Sequence, residues 1–246
     1  MRPTSPLDAG TREVLAFVRG ALPAPPLRVL EVGCGSGELA AALLAAGYEV
    51  TALDADPDAV AAARALGVPA RHADFLDGGA EPHDAVLFTR SLHHIASLDR
   101  AVALAAETGP IVIVDEFARE RADAATAAWF SDVRALLAAT GVLAPPHADP
   151  LDPDPLQRWL VEHGERREHR LHTGAEMEAA LRTRLDVVSV EACPYLYRHL
   201  AQWLEVSERG GAVARLLLEL ERARIARDEL VPLGMRAVAR RRDAIE

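Results

Sequence analysis

Residues 29–37 constrain the fold most, because a strand-like apolar run leads directly into a glycine-rich turn and then a helical pattern. Glycines at 33, 35 and 37 let the backbone turn tightly and approach a ligand where a side chain would collide. A dinucleotide-binding loop of the G-x-G-x-x-G type would place its third glycine at position 38. That position holds Glu38, whose negative charge disfavours a pyrophosphate at a helix N-terminus. The loop therefore predicts a ligand other than NAD.

Apolar runs and helical patterns alternate along the chain. The first half predicts strands at 27–32, 48–53, 68–73, 84–89 and 110–115, with helices at 8–22, 37–47, 57–66 and 97–107. Apolar strands that alternate with helices are typical of a parallel sheet covered on both faces. The second half predicts long helical segments at 119–140 and 196–229, short helices near 155–163 and 174–184, a Pro- and Asp-rich loop at 144–156, and strands at 185–193 and 235–240.

Charge and composition exclude several classes of protein. The formal net charge of −10 disfavours binding to nucleic acid, which requires a basic face. No apolar run reaches about 18 residues, and the first residues lack the apolar core of a signal peptide, so we expect a cytoplasmic protein without a membrane anchor. All 27 basic residues are arginine, which excludes P-loop and Schiff-base chemistry because both need lysine. The absence of Lys and Asn also indicates a GC-rich, bacterial genome.

The run Glu-Val-Gly-Cys-Gly-Ser-Gly at 31–37 resembles the first motif of class I S-adenosylmethionine-dependent methyltransferases. Further stretches resemble later motifs of that family at matching intervals. Residues 53–57 are similar to its acidic loop, 73–75 to its adenine-contact motif, and 235–240 to its last, antiparallel strand. Residues 88–95 are similar to the Ser-Leu-His-His segment of its small-molecule members.

The resemblance implies an α/β, doubly wound, Rossmann-like sheet of seven strands, mostly parallel, with extra helices forming a lid. The chain would be one domain, 1–246, made of an N-terminal helix and linker (1–26), a cofactor-binding core (27–116), a lid insert (117–173) and C-terminal strands and helices (174–246). The implied cofactor is S-adenosylmethionine, with S-adenosylhomocysteine as product. The residues implied to contact it are Glu31, Gly33, Cys34, Gly35, Gly37, Asp54, Ala55, Asp74, Phe75, Thr89, Arg90 and Ser91.

Within this set the individual roles differ. Asp54 is expected to accept the ribose hydroxyls, whereas Asp56 fits a helix N-cap before Pro57. Asp74 would accept from the adenine amino group, with Phe75 against the ring. The alternatives are ordinary turn chemistry for Asp74 and a place in the core for Phe75.

His93 and His94 are the candidate general bases, with His94 preferred, since a neutral imidazole can take the proton of an O–H or N–H nucleophile. The alternative is that the pair only closes the turn through hydrogen bonds to the backbone. Asp115 and Glu116 are the next candidates. The histidines at 163, 169 and 172 lie in a heavily charged stretch that a solvated face explains, and no metal is expected.

The predicted function is methyl transfer to O or N of a small-molecule acceptor, with secondary metabolism as a plausible setting, in a monomer or homodimer. The alternatives are a protein or peptide methyltransferase, and a cofactor-binding protein that no longer methylates and serves as another catalyst or a regulatory partner. An NAD-dependent oxidoreductase lacks support, since neither the third glycine nor a Tyr-x-x-x-Lys pair is present.

Overall fold

A computed structural model describes residues 5–78, 81–144, 151–163 and 171–242. These residues fall into two compact units. The first, here called the sheet unit, comprises 13–118, 171–191 and the chain from 235 onward, and the second, the helical unit, comprises the remainder. No helix within the described ranges is long and apolar enough to cross a membrane. Residues 145–150 of the Pro-rich loop expected at 144–156, and the histidine at 169, lie outside the described residues.

The central feature is a seven-stranded sheet of order β3-β2-β1-β4-β5-β7-β6. The first five strands pair in parallel and the last strand is antiparallel, which confirms the predicted sheet. The strands are β1 (Arg28–Val32), β2 (Glu49–Asp54), β3 (Ala70–His72), β4 (Ala85–Thr89), β5 (Ile111–Phe117), β6 (Leu185–Cys193) and β7 (Gly234–Arg241).

The described α-helices are α1 (Asp8–Ala21), α2 (Glu38–Ala45), α3 (Pro57–Ala65), α4 (Leu98–Thr108), α5 (Ala124–Ala139), α6 (Pro155–His163), α7 (Gly174–Arg184), α8 (Leu196–Ala201) and α9 (Glu208–Ile225). Short 3-10 turns cover Phe75–Asp77, Leu92–His94 and Arg119–Arg121.

Burial on both faces explains why the central strands are apolar. Every residue of β5 is buried, and β4 is buried except at its last residue, Thr89. Two apolar clusters form within the sheet unit; one is centred on Phe88 and Val114, and the other on Leu87 and Ile113. Since alternate residues of a strand point to opposite faces, the two clusters cover the two faces of the sheet.

One predicted helix is wrong in extent, and one predicted helical region contains two helices. The segment 119–140 is a 3-10 turn followed by α5, because the Asp123 side chain accepts from the Thr126 N–H at 2.8 Å and starts a new helix. The segment 196–229 is likewise divided into α8 and α9, where Ser207 accepts from the Gly210 N–H at 3.0 Å. Both breaks coincide with N-caps, which satisfy backbone donors that a continuous helix would bond internally.

The parallel strands place their carboxyl ends at one edge of the sheet. β1 lies between β2 and β4, so the chain leaves β1 toward one side and returns to the other. In doubly wound sheets a ligand binds in the crevice at this reversal, outside the carboxyl ends of the strands. Residues at and just after the carboxyl ends of β1, β2, β4 and β5 therefore form the candidate site.

Candidate functional site

The glycine loop after β1 is glycine-specific at each of its three positions. Gly33, Gly35 and Gly37 have φ of 71°, 52° and 82°, a region that L side chains rarely adopt. A Cβ on Gly33 would collide with the Cβ of Ser91, and one on Gly37 would lie 2.7 Å from the Cβ of Ala63. A Cβ on Gly35 would meet nothing within 4 Å. The loop is thus packed at its ends and open at its middle.

Asp54 joins the end of β2 to this loop. Its Oδ2 accepts from the Gly35 N–H at 2.8 Å, and its Oδ1 accepts from the Asp56 N–H at 2.9 Å. Each carboxylate oxygen retains a second lone pair, and the side chain is only half-buried. Asp56 is exposed and caps α3 by accepting from the Asp58 N–H at 2.9 Å, which confirms its expected N-cap role. The binding of a ribose diol by Asp54 stays a prediction.

Glu31 is a buried acid beneath the glycine loop. Thr89 donates from Oγ1 to its Oε1 at 3.0 Å, whereas Oε2 has no hydrogen-bond partner in the part of the chain that the structure describes. Burial raises the pKa of Glu31 to about 7, and the Thr89 hydrogen bond and the positive charge of Arg90 offset part of this increase. The backbone of Ala40 lowers the pKa further without forming a full hydrogen bond. An arriving cation would therefore stabilise the charged form of Glu31.

Cys34 has a buried thiol with a raised pKa. It is buried, and burial together with the negative charges of Glu31 and Asp54 raises its pKa to about 12. The thiolate is the nucleophilic form of cysteine, and it is scarce at neutral pH when the pKa is that high. Cys34 therefore lines the loop without serving as a nucleophile.

Glu116 organises the Ser-Leu-His-His turn. Its Oε1 accepts from the N–H groups of Ser91 and Leu92 at 2.7 and 2.6 Å, and its Oε2 lies 2.6 Å from Nδ1 of His93. Glu116 is fully buried, and the His93 side chain is 10% exposed. With an ionised Glu116, Nδ1 of His93 carries the proton and Nε2 carries the lone pair. The pair has the geometry of an oriented imidazole base.

His94 occupies a different environment. It is exposed, its backbone N–H donates to the Ser91 carbonyl at 3.0 Å, and its ring lies 4.0 Å from that of His93 between centroids. Because the two neighbouring side chains differ in burial, the structure distinguishes His93, which is fixed by a buried acid. The sequence-based preference for His94 as the base stays an untested prediction, and the contact with Glu116 favours His93 as the alternative.

Asp115, the other acid at this end of β5, is engaged in an ion pair. Its Oδ2 accepts from Nε of Arg236 at 2.8 Å, and its backbone carbonyl accepts from the N–H of Arg90 at 2.9 Å. The Arg236 guanidinium in turn lies over the ring of Phe17, 5.0 Å from the centroid. Sequence reasoning missed Arg236, because 121 positions separate it from its partner and no local pattern marks it.

The adenine-contact candidates have the contacts of a turn and a core residue. The exposed Asp74 accepts from the Leu76 N–H at 2.8 Å and caps the 3-10 turn that follows. Phe75 is buried and packs edge-on against Phe88, with 5.6 Å between ring centroids. Their contact with adenine stays a prediction.

The exposed His72 ring lies beside this turn and donates from Nε2 to the Ala55 carbonyl at 3.0 Å, a link that sequence reasoning also missed.

The remaining histidine candidates bond to backbone groups. His163 stacks on Trp159 at 3.9 Å between centroids, and its Nδ1 lies 3.2 Å from the Trp159 carbonyl. His172 places Nε2 2.9 Å from the Ile95 carbonyl. Within the described ranges, no three His, Cys, Asp or Glu side chains form a group that could hold a metal ion.

Comparison with known proteins adds family information to this geometry. Residues 29–108 match the model of a family described as "Methyltransferase domain". Over 100 residues the chain is 39% identical to the Ribosomal RNA small subunit methyltransferase C of Chromohalobacter salexigens, covering 38% of this chain and 30% of that protein. Over 102 residues it is 32% identical to the Ubiquinone biosynthesis O-methyltransferase of Xylella fastidiosa, covering 38% of this chain and 42% of that protein. The alignments thus span less than half of either relative.

Among solved structures, the fold is similar to that of the magnesium protoporphyrin IX methyltransferase of Synechocystis PCC 6803 with bound SAH. The TM-score is 0.53 at 13% identity, over 96% of this chain and 83% of that chain. At this identity the likeness establishes the fold and leaves the chemistry to the residues of the site.

Proposed function

We propose that this protein binds S-adenosylmethionine at the glycine loop, because residues 29–108 match the family model described as "Methyltransferase domain" and the sheet has a Rossmann-like order. We further propose that it transfers the methyl group to an oxygen or nitrogen atom of a small-molecule acceptor. The observation that carries the cofactor assignment is the arrangement of Gly35, Asp54 and Glu31 around one open loop. Gly35 faces open space, Asp54 holds the loop from below, and Glu31 keeps one buried oxygen without a partner among the described residues.

The residues present fit this cofactor. Its amino-acid end carries both an ammonium group and a carboxylate, and the sulfonium adds a positive charge, so the buried Glu31 beside the loop suits the ammonium group. The carboxylate of Asp54 has lone pairs available for a diol, in keeping with its position at the end of β2. When bound, S-adenosylmethionine would supply an electrophilic methyl group to the acceptor atom, with the thioether S-adenosylhomocysteine as the leaving group.

The protein contributes alignment and proton removal. The transition state disperses an existing positive charge, so most of the acceleration comes from orienting the two reactants and excluding water. An O–H or N–H acceptor also has to lose a proton. Nε2 of His93 is the group we assign to that step, because Glu116 fixes the ring and holds the proton on Nδ1. Glu116 is then a positioning residue, and the ion pair with Arg236 makes Asp115 a poor base.

A small-molecule acceptor is favoured over nucleic acid by charge. The chain has 37 acidic and 27 basic residues, an excess that disfavours phosphate backbones. One curated relative is named for ribosomal RNA and another for ubiquinone biosynthesis, so the relatives by themselves support both classes. A role in secondary metabolism, a cytoplasmic location and a monomeric or homodimeric state stay predictions, as does the lid role of 117–173.

Calorimetric titration with S-adenosylhomocysteine tests the cofactor assignment, with NAD as the competing ligand. We expect the wild-type protein to bind S-adenosylhomocysteine and not NAD, and Asp54→Ala to lose that binding. The exposed Asp58, which lies just beyond the acidic loop and carries no site role, provides the control Asp58→Ala. Absence of binding, or a preference for NAD, refutes the proposal. Cofactor binding without methyl transfer to any acceptor in a broad screen would favour the non-methylating alternative.

A further inference from the structure

Arg90 has an unusual backbone conformation for its residue type. Its φ is 62°, in the left-handed region where glycine is the ordinary occupant. Neighbouring contacts hold it there. The Arg90 N–H donates to the Asp115 carbonyl at 2.9 Å, and the next residue, Ser91, donates from its Oγ to the Val32 carbonyl at 2.5 Å. A conformation of this kind persists only where surrounding contacts determine it, and such positions cluster at functional sites.

The side chain of Arg90 is exposed at the carboxyl edge of the sheet. In the described part of the chain its guanidinium has no hydrogen bond and no ion pair; only its backbone N–H is bonded. Its positive charge lies near enough to Glu31 to lower the pKa of that buried acid. Arg236 is by contrast already paired with Asp115. Arg90 therefore has a backbone held by neighbouring contacts and a guanidinium whose donors are available.

The charge around Arg90 is otherwise acidic. Glu31, Glu38 and Asp54 surround the glycine loop, so an anionic group entering this edge meets repulsion unless a cation offsets it. A planar guanidinium presents paired donors that match the two oxygens of a carboxylate. An arginine at this edge with available donors is thus suited to bind an oxyanion on a ligand of this site.

We propose that Arg90 binds a carboxylate group of a ligand in the methyltransferase site. This inference rests on the proposed function. The carboxylate has two candidate sources, the amino-acid end of the cofactor and an acidic acceptor. In either case Arg90 is a specificity residue, which distinguishes ligands that carry the anion from otherwise similar ligands that lack it.

The first arm of the test measures the affinity for cofactor analogues by calorimetry. S-adenosylhomocysteine and its decarboxylated analogue are titrated into wild type, Arg90→Gln and Arg90→Lys. Arg100, an exposed residue of α4, gives the matched control Arg100→Gln. If the cofactor is the source, Arg90→Gln weakens S-adenosylhomocysteine about tenfold or more, leaves the decarboxylated analogue unchanged, and Arg90→Lys recovers part of the loss.

The second arm addresses the acceptor. With S-adenosylhomocysteine saturating, a set of small aromatic carboxylates is titrated against each variant, each beside its neutral amide. If the acceptor is the source, wild type prefers the acids, Arg90→Gln loses that preference, and the affinity for S-adenosylhomocysteine is unchanged. Thermal melting verifies that each variant is folded.

The outcomes distinguish a failure of the proposed function from a failure of the proposed role of Arg90. If wild type binds neither S-adenosylhomocysteine nor its analogue, the proposed function is wrong and the inference about Arg90 fails with it. If wild type binds S-adenosylhomocysteine and Arg90→Gln changes neither arm, only the role of Arg90 is refuted. An equal loss for the decarboxylated analogue would also refute it, since that pattern indicates a general disturbance of the loop.

Discussion

Glu116 accepts from the N–H groups of Ser91 and Leu92, and it also orients the ring of His93. Replacing it with glutamine should separate these two roles. The amide oxygen of Glu116→Gln still accepts from the N–H groups of Ser91 and Leu92, so the turn keeps its shape. The amide nitrogen then faces Nδ1 of His93, where the carboxylate oxygen now lies at 2.6 Å. Because an NH2 group only donates, Nδ1 must become the acceptor and the ring proton must move to Nε2.

The cost in stability is moderate. A hydrogen bond to a charged group is worth about 1 kcal/mol more than one to a neutral group, and two backbone donors keep a neutral acceptor in the variant. We therefore expect the free energy of unfolding to fall by about 2 kcal/mol. For a chain of this size that corresponds to a decrease in Tm of about 4–8 °C. Glu116→Ala, which leaves all the donors unpaired, should cost about 3–5 kcal/mol.

The assay needs no acceptor. Long-range proton–nitrogen NMR correlations on histidine-labelled protein show which ring nitrogen of His93 carries the proton, and His93→Gln assigns the signal. We expect a proton on Nδ1 in wild type and on Nε2 in Glu116→Gln. Glu107, an exposed acid of α4, provides the control Glu107→Gln, which should change neither the tautomer nor the melting temperature.

Once an acceptor is identified, the same variant should lower kcat by about 10²–10⁴ with little change in cofactor affinity, as expected when a general base loses its lone pair. An unchanged tautomer in Glu116→Gln would refute the assignment of the proton to Nδ1. A changed tautomer with full activity would refute His93 as the base and restore His94 as the candidate.

Three further outcomes follow from the loop. Gly37→Ala should lower the free energy of unfolding by about 3 kcal/mol in chemical denaturation, because left-handed backbone strain adds to the collision with Ala63. Gly35→Ala should cost only the strain, about 1–2 kcal/mol, because its Cβ would meet no atom within 4 Å. Equal costs for the two variants would contradict this reasoning. The raised pKa of Glu31, about 7 when folded against 4.5 when unfolded, means that this group's stabilisation is complete below about pH 4.5 and is lost as pH rises to about 7. Relative to Glu31→Gln, wild type should therefore lose about 3 kcal/mol across that window, and a flat difference would refute the raised pKa. Cys34 should resist iodoacetamide at pH 8 in the native protein and react after unfolding, as mass spectrometry of the modified peptide would show.

The sequence predicted the bounds of a helix well where a residue at its start, such as a proline or an N-cap, marks the boundary. Pro155 begins α6 and Thr173 caps α7, and both helices begin and end as expected. The break between α8 and α9 escaped notice because apolar residues continue on both sides of Ser207, and only the packed structure shows which polar residue becomes a cap.

The sequence predicted that the candidate site lies at the ends of the strands. It did not predict most of the contacts between the residues of the site. Glu116 was considered as a base on the basis of its position after apolar residues of β5. Its actual role depends on donors 23 to 25 positions away, which sequence spacing does not reveal. The pairing of Asp115 with Arg236 is likewise a consequence of the strand order β4-β5-β7, which places the last strand beside the fifth.

The contact between Gly33 and Ser91 limits how this site can diversify. The two residues touch so closely that neither has room for a larger partner, and the Ser91 hydroxyl also anchors its turn to the end of β1. A lineage that acquires a new acceptor therefore has little freedom at these two positions, because a change in one loop disturbs the other at once. The side chain of His94 is exposed, in contrast to that of Ser91, and natural variation in acceptor choice is expected to accumulate at such exposed positions first.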